Sequence, residues 1–91
     1  MVRGAKRYRV RIHFQLPMSD TVAEGRWHST QEIINHDDGG IEFHCTVDGL
    51  DEIVWWVLGY GPAAKVIKPN ELANKVKLLA QQMADRYREQ M

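Results

Sequence analysis

The chain has 91 residues, with 12 basic side chains balancing 12 acidic ones and 44% apolar content. That is one small domain with a single core and no wide stability margin, and its neutrality argues against coating nucleic acid by bulk charge. The single Cys45 cannot close an internal disulfide, no apolar run reaches membrane-span length, and no signal-peptide pattern opens the chain, so a soluble cytoplasmic protein is expected.

Residues 1–6 read as a short basic lead-in, with the domain proper over 7–91. From Arg7 the alternation is strict. Tyr8, Val10, Ile12 and Phe14 fall on one face, Arg7, Arg9, Arg11 and His13 on the other. A period of two means a strand with one side on a core. Gln15 to Ser19 breaks the pattern at Pro17. Ser19 or Asp20 is the expected cap of a short helix over Thr21 to Gly25. Gln31 to His36 reads as a short strand, and Asp37-Asp38-Gly39-Gly40 as a tight turn. A second clean alternation follows, with Ile41, Phe43, Cys45 and Val47 inward and Glu42, His44, Thr46 and Asp48 outward.

Gly49 to Gly61 encloses the densest apolar run in the chain, Ile53 to Leu58. Asp51 and Glu52 sit where a helix start favours negative charge, and the glycines sit where it stops. Leu50, Ile53, Val54, Val57 and Leu58 already complete a buried stripe. Trp55 and Trp56 are therefore surplus, each carrying roughly 200 Å² of surface. At least one is expected to meet a surface outside the domain. Ala64 to Lys68 reads as a strand ended by Pro69. Asn70 is the expected cap of a last helix of about twenty residues, with Leu72, Val76, Leu79, Ala80, Met83 and Tyr87 along one face. Strand, helix, two strands in a hairpin, helix, strand, helix is the order. It is satisfied by an α+β, ferredoxin-like fold: a four-stranded antiparallel sheet with helices on one face and an added C-terminal helix.

One family matches these residues in series. Arg26-Trp27-His28-Ser29 through Gln31, Asp38-Gly39-Gly40, Val47-Asp48-Gly49-Leu50, Glu52 to Gly61 with its paired tryptophans, Val66 to Leu72 and Met83 to Tyr87 together resemble the C-terminal extension, or WCX domain, of WYL-type bacterial transcriptional regulators. The resemblance covers about eighty residues and rests on the ordered series, since none of its motifs is sharply diagnostic alone. It implies a ferredoxin-like domain that helps form a homodimer and couples effector sensing to DNA binding, with nucleotides or nucleic acids as effectors in several members. The chain carries neither a helix-turn-helix nor a WYL segment, so the family's DNA reading and WYL pocket do not carry over. The resemblance implies a piece of a longer regulator, contacting DNA only through a helix-turn-helix elsewhere; a free-standing small protein is the alternative.

Two clusters suit an effector. The row Arg7, Arg9, Arg11 and His13 could track phosphates, or could pair across the sheet with the outward acids of the neighbouring strand, at about 0.2–1 kcal/mol per pair. Arg26, Trp27 and His28 could hold a base or phosphate, or Trp27 could simply plug the end of the core under Arg26. Stacking of bases on the sheet, as in RNA-recognition modules, lacks the outward aromatics it needs. A partner surface is expected at Trp55, Trp56 and Tyr60, with Met83 and Tyr87 as a second contact; the competing reading folds Trp56 over Leu79 and Met83 of the last helix.

Metal and enzyme chemistry find no support. His13 and His44 share a sheet face, but Cys45 points away and no close-spaced ligand pair accompanies them. Acylphosphatases share the topology, yet Gln15-Leu16-Pro17-Met18 offers no glycine-rich phosphate nest. Ser29 beside His28 is too generic for a nucleophile and its base. The expectation is a non-enzymatic regulatory and dimerisation domain without cofactor or metal, partnered by its twin or a neighbouring WYL domain. The alternative is direct nucleotide or oligonucleotide binding by the Arg7–His13 face and Arg26–His28.

Overall fold

The computed structural model describes residues 7–88; the lead-in over 1–6 lies outside the described residues. β1 (Tyr8–Phe14), α1 (Met18–Glu24), β2 (Glu32–Asn35), β3 (Ile41–Val47), α2 (Asp51–Leu58), β4 (Ala64–Lys68) and α3 (Asn70–Arg88) follow in order, with a 3-10 turn at Gly61–Ala63 before β4. The sheet runs β2-β3-β1-β4 and every pairing is antiparallel. This is the ferredoxin-like order that the element sequence implied.

The alternation in β1 and β3 fixes which face is dry. Val10, Ile12 and Phe14 meet Ile41, Phe43 and Cys45, and the helices add Val22, Leu50, Val54, Val57 and Leu72 to one continuous core. The opposite face of the sheet carries the polar set and is at least partly exposed throughout. Such one-sided burial is usual for an antiparallel sheet.

Three local expectations need correction. α1 begins earlier than its polar residues suggested, at Met18, behind Pro17 and with no side-chain cap. Ser19 does not cap it: it is fully buried, and its hydroxyl donates to the Gly39 carbonyl at 2.7 Å. A buried hydroxyl needs a partner, and this one ties α1 to the β2–β3 turn. Asn70 is the first residue of α3 rather than its cap; the Ala73 N–H bonds the Pro69 carbonyl at 3.1 Å. The turn itself is as expected. Gly39 takes φ +90°, where glycine is favoured, and the Gly40 N–H bonds Asp38 Oδ1 at 2.8 Å.

β4 holds an irregularity with consequences for the outer face. Lys65 pairs with His13 and Val66 with Ile12, but Arg11 then pairs with Lys68. Ile67 is the extra residue, and a bulge of this kind re-aims the side chain after it. Strict alternation would have sent Lys68 inward with Val66. The bulge puts it beside Arg11 instead.

Candidate functional site

Two concavities and one projecting helix stand out among the described residues. The first concavity is a cleft of about 460 Å³ on the helix side of the sheet, between the 25–31 loop and the start of α2. Phe43, Cys45 and Val47 of β3 line it on one side, and Asp51, Glu52, Ile53 and Trp56 of α2 on another. Trp27 and His28 close the third.

The loop that carries Trp27 and His28 is held by its own polar side chains. Gln31 Oε1 accepts from the backbone N–H of Trp27 at 2.6 Å and of His28 at 3.0 Å. Its amide group donates back to the Gly25 carbonyl at 3.0 Å. Trp27 Nε1–H bonds the Val22 carbonyl at 2.9 Å. The Trp27 ring lies so close to Gly25 that a Cβ there would sit 2.6 Å from it; glycine is required by this approach. The Thr30 N–H donates to His28 Nδ1 at 3.1 Å, so that nitrogen is the acceptor and Nε2 carries the ring proton. Thr30 Oγ1 also accepts the Thr46 N–H at 2.9 Å, anchoring the loop to β3.

Trp56 forms the inner wall. Its ring contacts Phe43 at 5.1 Å, Tyr60 at 5.3 Å, Phe14 at 5.6 Å and Trp27 at 5.7 Å between centroids. The indole joins a cluster of aromatic rings, while Leu79 packs on the same core and Met83 is 51% exposed. Edge-to-face and tilted arrangements like these suit the ring quadrupoles. The Trp56 Nε1–H is buried with no acceptor among the described residues. Tyr60 lies with Trp56, as their spacing suggested, and also packs on Phe14 at 5.2 Å. Trp55, the neighbouring residue, is 62% exposed.

The second concavity, about 480 Å³, lies on the outer face of the sheet and is lined by Arg9, Arg11, Lys68, His44, Thr46, Thr30 and Glu32 among others. The arginine row divides here. Arg7 Nε is 3.4 Å from Asp48 Oδ1, between two very exposed side chains. Arg11 Nη2 donates to Glu42 Oε1 at 2.9 Å. Arg9 faces Thr46 and has no ion pair among the described residues, and the same holds for Lys68. Glu42 is the hub of this face. His44 Nε2 lies 2.9 Å from its Oε1 and His36 Nε2 3.5 Å from its Oε2, while His13 and His36 rings stand 5.4 Å apart. Hydrogen bonds from His44 and then Arg11 hold its carboxyl down to about 2 from 4.5. No group of three or more His, Cys, Asp or Glu among the described residues could hold a metal ion. Cys45, under the sheet, is buried, and burial pushes its thiol up to about 11.

The structure thus separates what the sequence had grouped. Trp27 and His28 share a cleft with Trp56, whereas Arg26 is exposed and lines neither concavity. Arg9 and Arg11 belong to the other side of the sheet. Four contributors were not singled out from sequence: Gln31, an ordinary amide until its bonds are seen; Lys68, which reaches the groove only through the bulge; and Asp51 and Glu52, read as helix-start charges only.

The projecting element is α3. Leu72 is buried and Val76 and Leu79 are partly buried, but every residue from 80 to 88 is exposed. Met83 and Tyr87, at 51% and 73% exposed, continue the face that Leu72, Val76 and Leu79 begin. No helix among the described residues is long and apolar enough to cross a membrane.

Comparison with known families agrees with this architecture. The family model described as the WCX domain matches residues 6–84, and the chain belongs to that family, a regulatory-type domain of WYL-type regulators. No curated protein matches the chain.

Proposed function

We propose that this WCX domain is a dimerisation and regulatory module that places the exposed end of α3 against its twin, and thereby sets the spacing of DNA-binding heads carried elsewhere in the regulator. The observation behind this reading is the unfinished apolar face of α3. Nine residues of helix, about 13 Å at 1.5 Å per residue, extend with no cover from the described residues while Met83 and Tyr87 prolong the core-facing stripe. Large side chains of this kind are typical interface anchors. Trp55, similarly exposed on α2, is a second apolar contact for the twin or for a neighbouring WYL domain. Effector binding changes the output only if the effector favours one packing over the other.

Light scattering of the chain over a concentration range, at low and high salt, tests this. A dimer insensitive to salt, lost in Met83→Glu/Tyr87→Glu, is the expected result. A monomer at every concentration would overturn it.

A second reading is favoured by the outer groove. Arg9 and Lys68, without carboxylate partners among the described residues, flank Arg11 there. Together they suit the phosphates of a nucleotide or oligonucleotide effector. Binding of a short single-stranded oligonucleotide should then fall steeply with salt and vanish in Arg9→Glu/Arg11→Glu. Unchanged affinity in that variant removes this reading.

A further inference from the structure

The helix-side cleft differs in chemistry from both surfaces above. Its walls include two indoles, Trp27 and Trp56, and three carboxylates stand around it, those of Asp48, Asp51 and Glu52. No arginine or lysine lines it. Asp48 has Arg7 at 3.4 Å, a loose and exposed pair; Asp51 and Glu52 have no ion-pair partner among the described residues. His28, whose Nδ1 accepts the Thr30 N–H, is the one imidazole lining it. At about 460 Å³ the space falls within the range of small-molecule sites.

We infer that this cleft binds a small organic cation, an ammonium or guanidinium group carried on a compact apolar body. Indole faces attract cations through the ring quadrupole, and Trp does so best among the aromatics. The carboxylates add Coulomb attraction for a cation and repel a phosphate or carboxylate ligand. The apolar part of such a ligand would rest on Phe43, Val47 and Ile53. The loop geometry also fits a formed site, since Gln31, Thr30 and the Trp27 Nε1–H bond fix Trp27 and His28 before any ligand arrives. Preorganisation of this kind lowers the cost of binding. This inference stands apart from the dimer reading, because the cleft is complete within one chain.

The test is a titration followed by two-dimensional amide and indole NMR, with three matched probes: benzyltrimethylammonium, benzyl alcohol and benzoate. The cation should give saturable shifts at the Trp27 and Trp56 indoles and at His28, with affinity at least tenfold above benzyl alcohol. Benzoate should give none there. The Trp55 indole, outside the cleft, is the internal control and should stay still. Asp51→Asn/Glu52→Gln should weaken the cation at least fivefold while the rest of the spectrum persists. If that variant loses its fold, Trp27→Leu, which changes a loop side chain, must weaken binding instead. Equal affinity for the neutral probe, tighter binding of benzoate, shifts spread equally to Trp55, or no saturable shift would each overturn the assignment.

Discussion

Two adjacent tryptophans in one helix provide a sharp test of the packing described above. Trp55 is 62% exposed, so little more than a third of its roughly 200 Å² is covered. At about 25 cal/mol per Å², Trp55→Ala loses at most about 2 kcal/mol, and less once the compact unfolded chain is considered. Trp56 meets four aromatic rings at centroid distances of 5.1 to 5.7 Å. Removing it leaves a cavity between sheet and helix, and a packed Trp→Ala costs about 3–5 kcal/mol. A domain of this size is stable by roughly 5–14 kcal/mol at about 0.05–0.15 per residue, so Trp56→Ala removes a large share. Its melting point should fall by about 20 °C, since 1 kcal/mol shifts a 60–100-residue domain by about 4–8 °C. Trp56→Phe should cost much less, because a ring remains and the indole N–H has no acceptor to lose among the described residues. Urea unfolding of the three variants, at several protein concentrations to separate any dimer contribution, supplies the numbers. Equal costs for Trp55→Ala and Trp56→Ala would refute the assignment of one indole to the core and the other to the surface.

Two further perturbations follow from titration chemistry. Glu42 has its carboxyl lowered to about 2 from 4.5, by His44 first and Arg11 second. A depressed pKa stabilises the fold above the unfolded value and is lost as pH falls. The melting-point gap between wild type and Glu42→Gln should therefore be full above about 4.5, shrink through the interval down to about 2, and close below it; a gap independent of pH would contradict the hub role. Cys45 has its thiol raised to about 11 from 9.0 by burial, so at pH 8 it holds roughly a hundredfold less thiolate than an ordinary cysteine. Ellman's reagent should react slowly with the folded chain and rapidly in urea, and fast reaction under native conditions would show that the floor of the cleft opens.

Most of the architecture was legible because β1 and β3 each alternate without a fault. Period two identifies the strands, their dry faces and, with the hairpin at Asp37–Gly40, the sheet that results. The α2 stripe and the start of the α3 face were legible for the same reason. The parts that were not legible depend on contacts between distant residues. Nothing local in Ala64 to Lys68 announces a bulge at Ile67, so Lys68 was not assigned to the basic face. Ser19 looked like a cap because serine usually is one; its actual partner, the Gly39 carbonyl, lies 20 residues away. Gln31 has no periodic signature at all, and its role is visible only in the bonds its amide makes. For Trp56, the stripe showed that it was surplus to one helix face but could not show that Phe14 and Phe43 would receive it.

The same helix connects the cleft with the proposed dimer contact. Consecutive residues on a helix point about 100° apart, so Trp56 can wall the cleft while Trp55 stays in solvent. α2 also packs against α3, whose free end is the proposed contact with a twin. Interiors at crystal-like density do not absorb a displaced indole by local compression; a ligand that moves Trp56 must tilt α2 or stay out. Either outcome has a thermodynamic consequence. If a cation in the cleft binds the dimer tenfold more tightly than the monomer, it tightens each half-occupied dimer by the same factor, because coupling between binding equilibria is reciprocal. A cation that binds both forms equally leaves the dimer untouched however tight it is. Under the proposed regulation, a cation in the cleft would reach the dimer contact through Trp56 and α2, against the Trp27 side of the cleft that Gln31 and Thr30 hold in place.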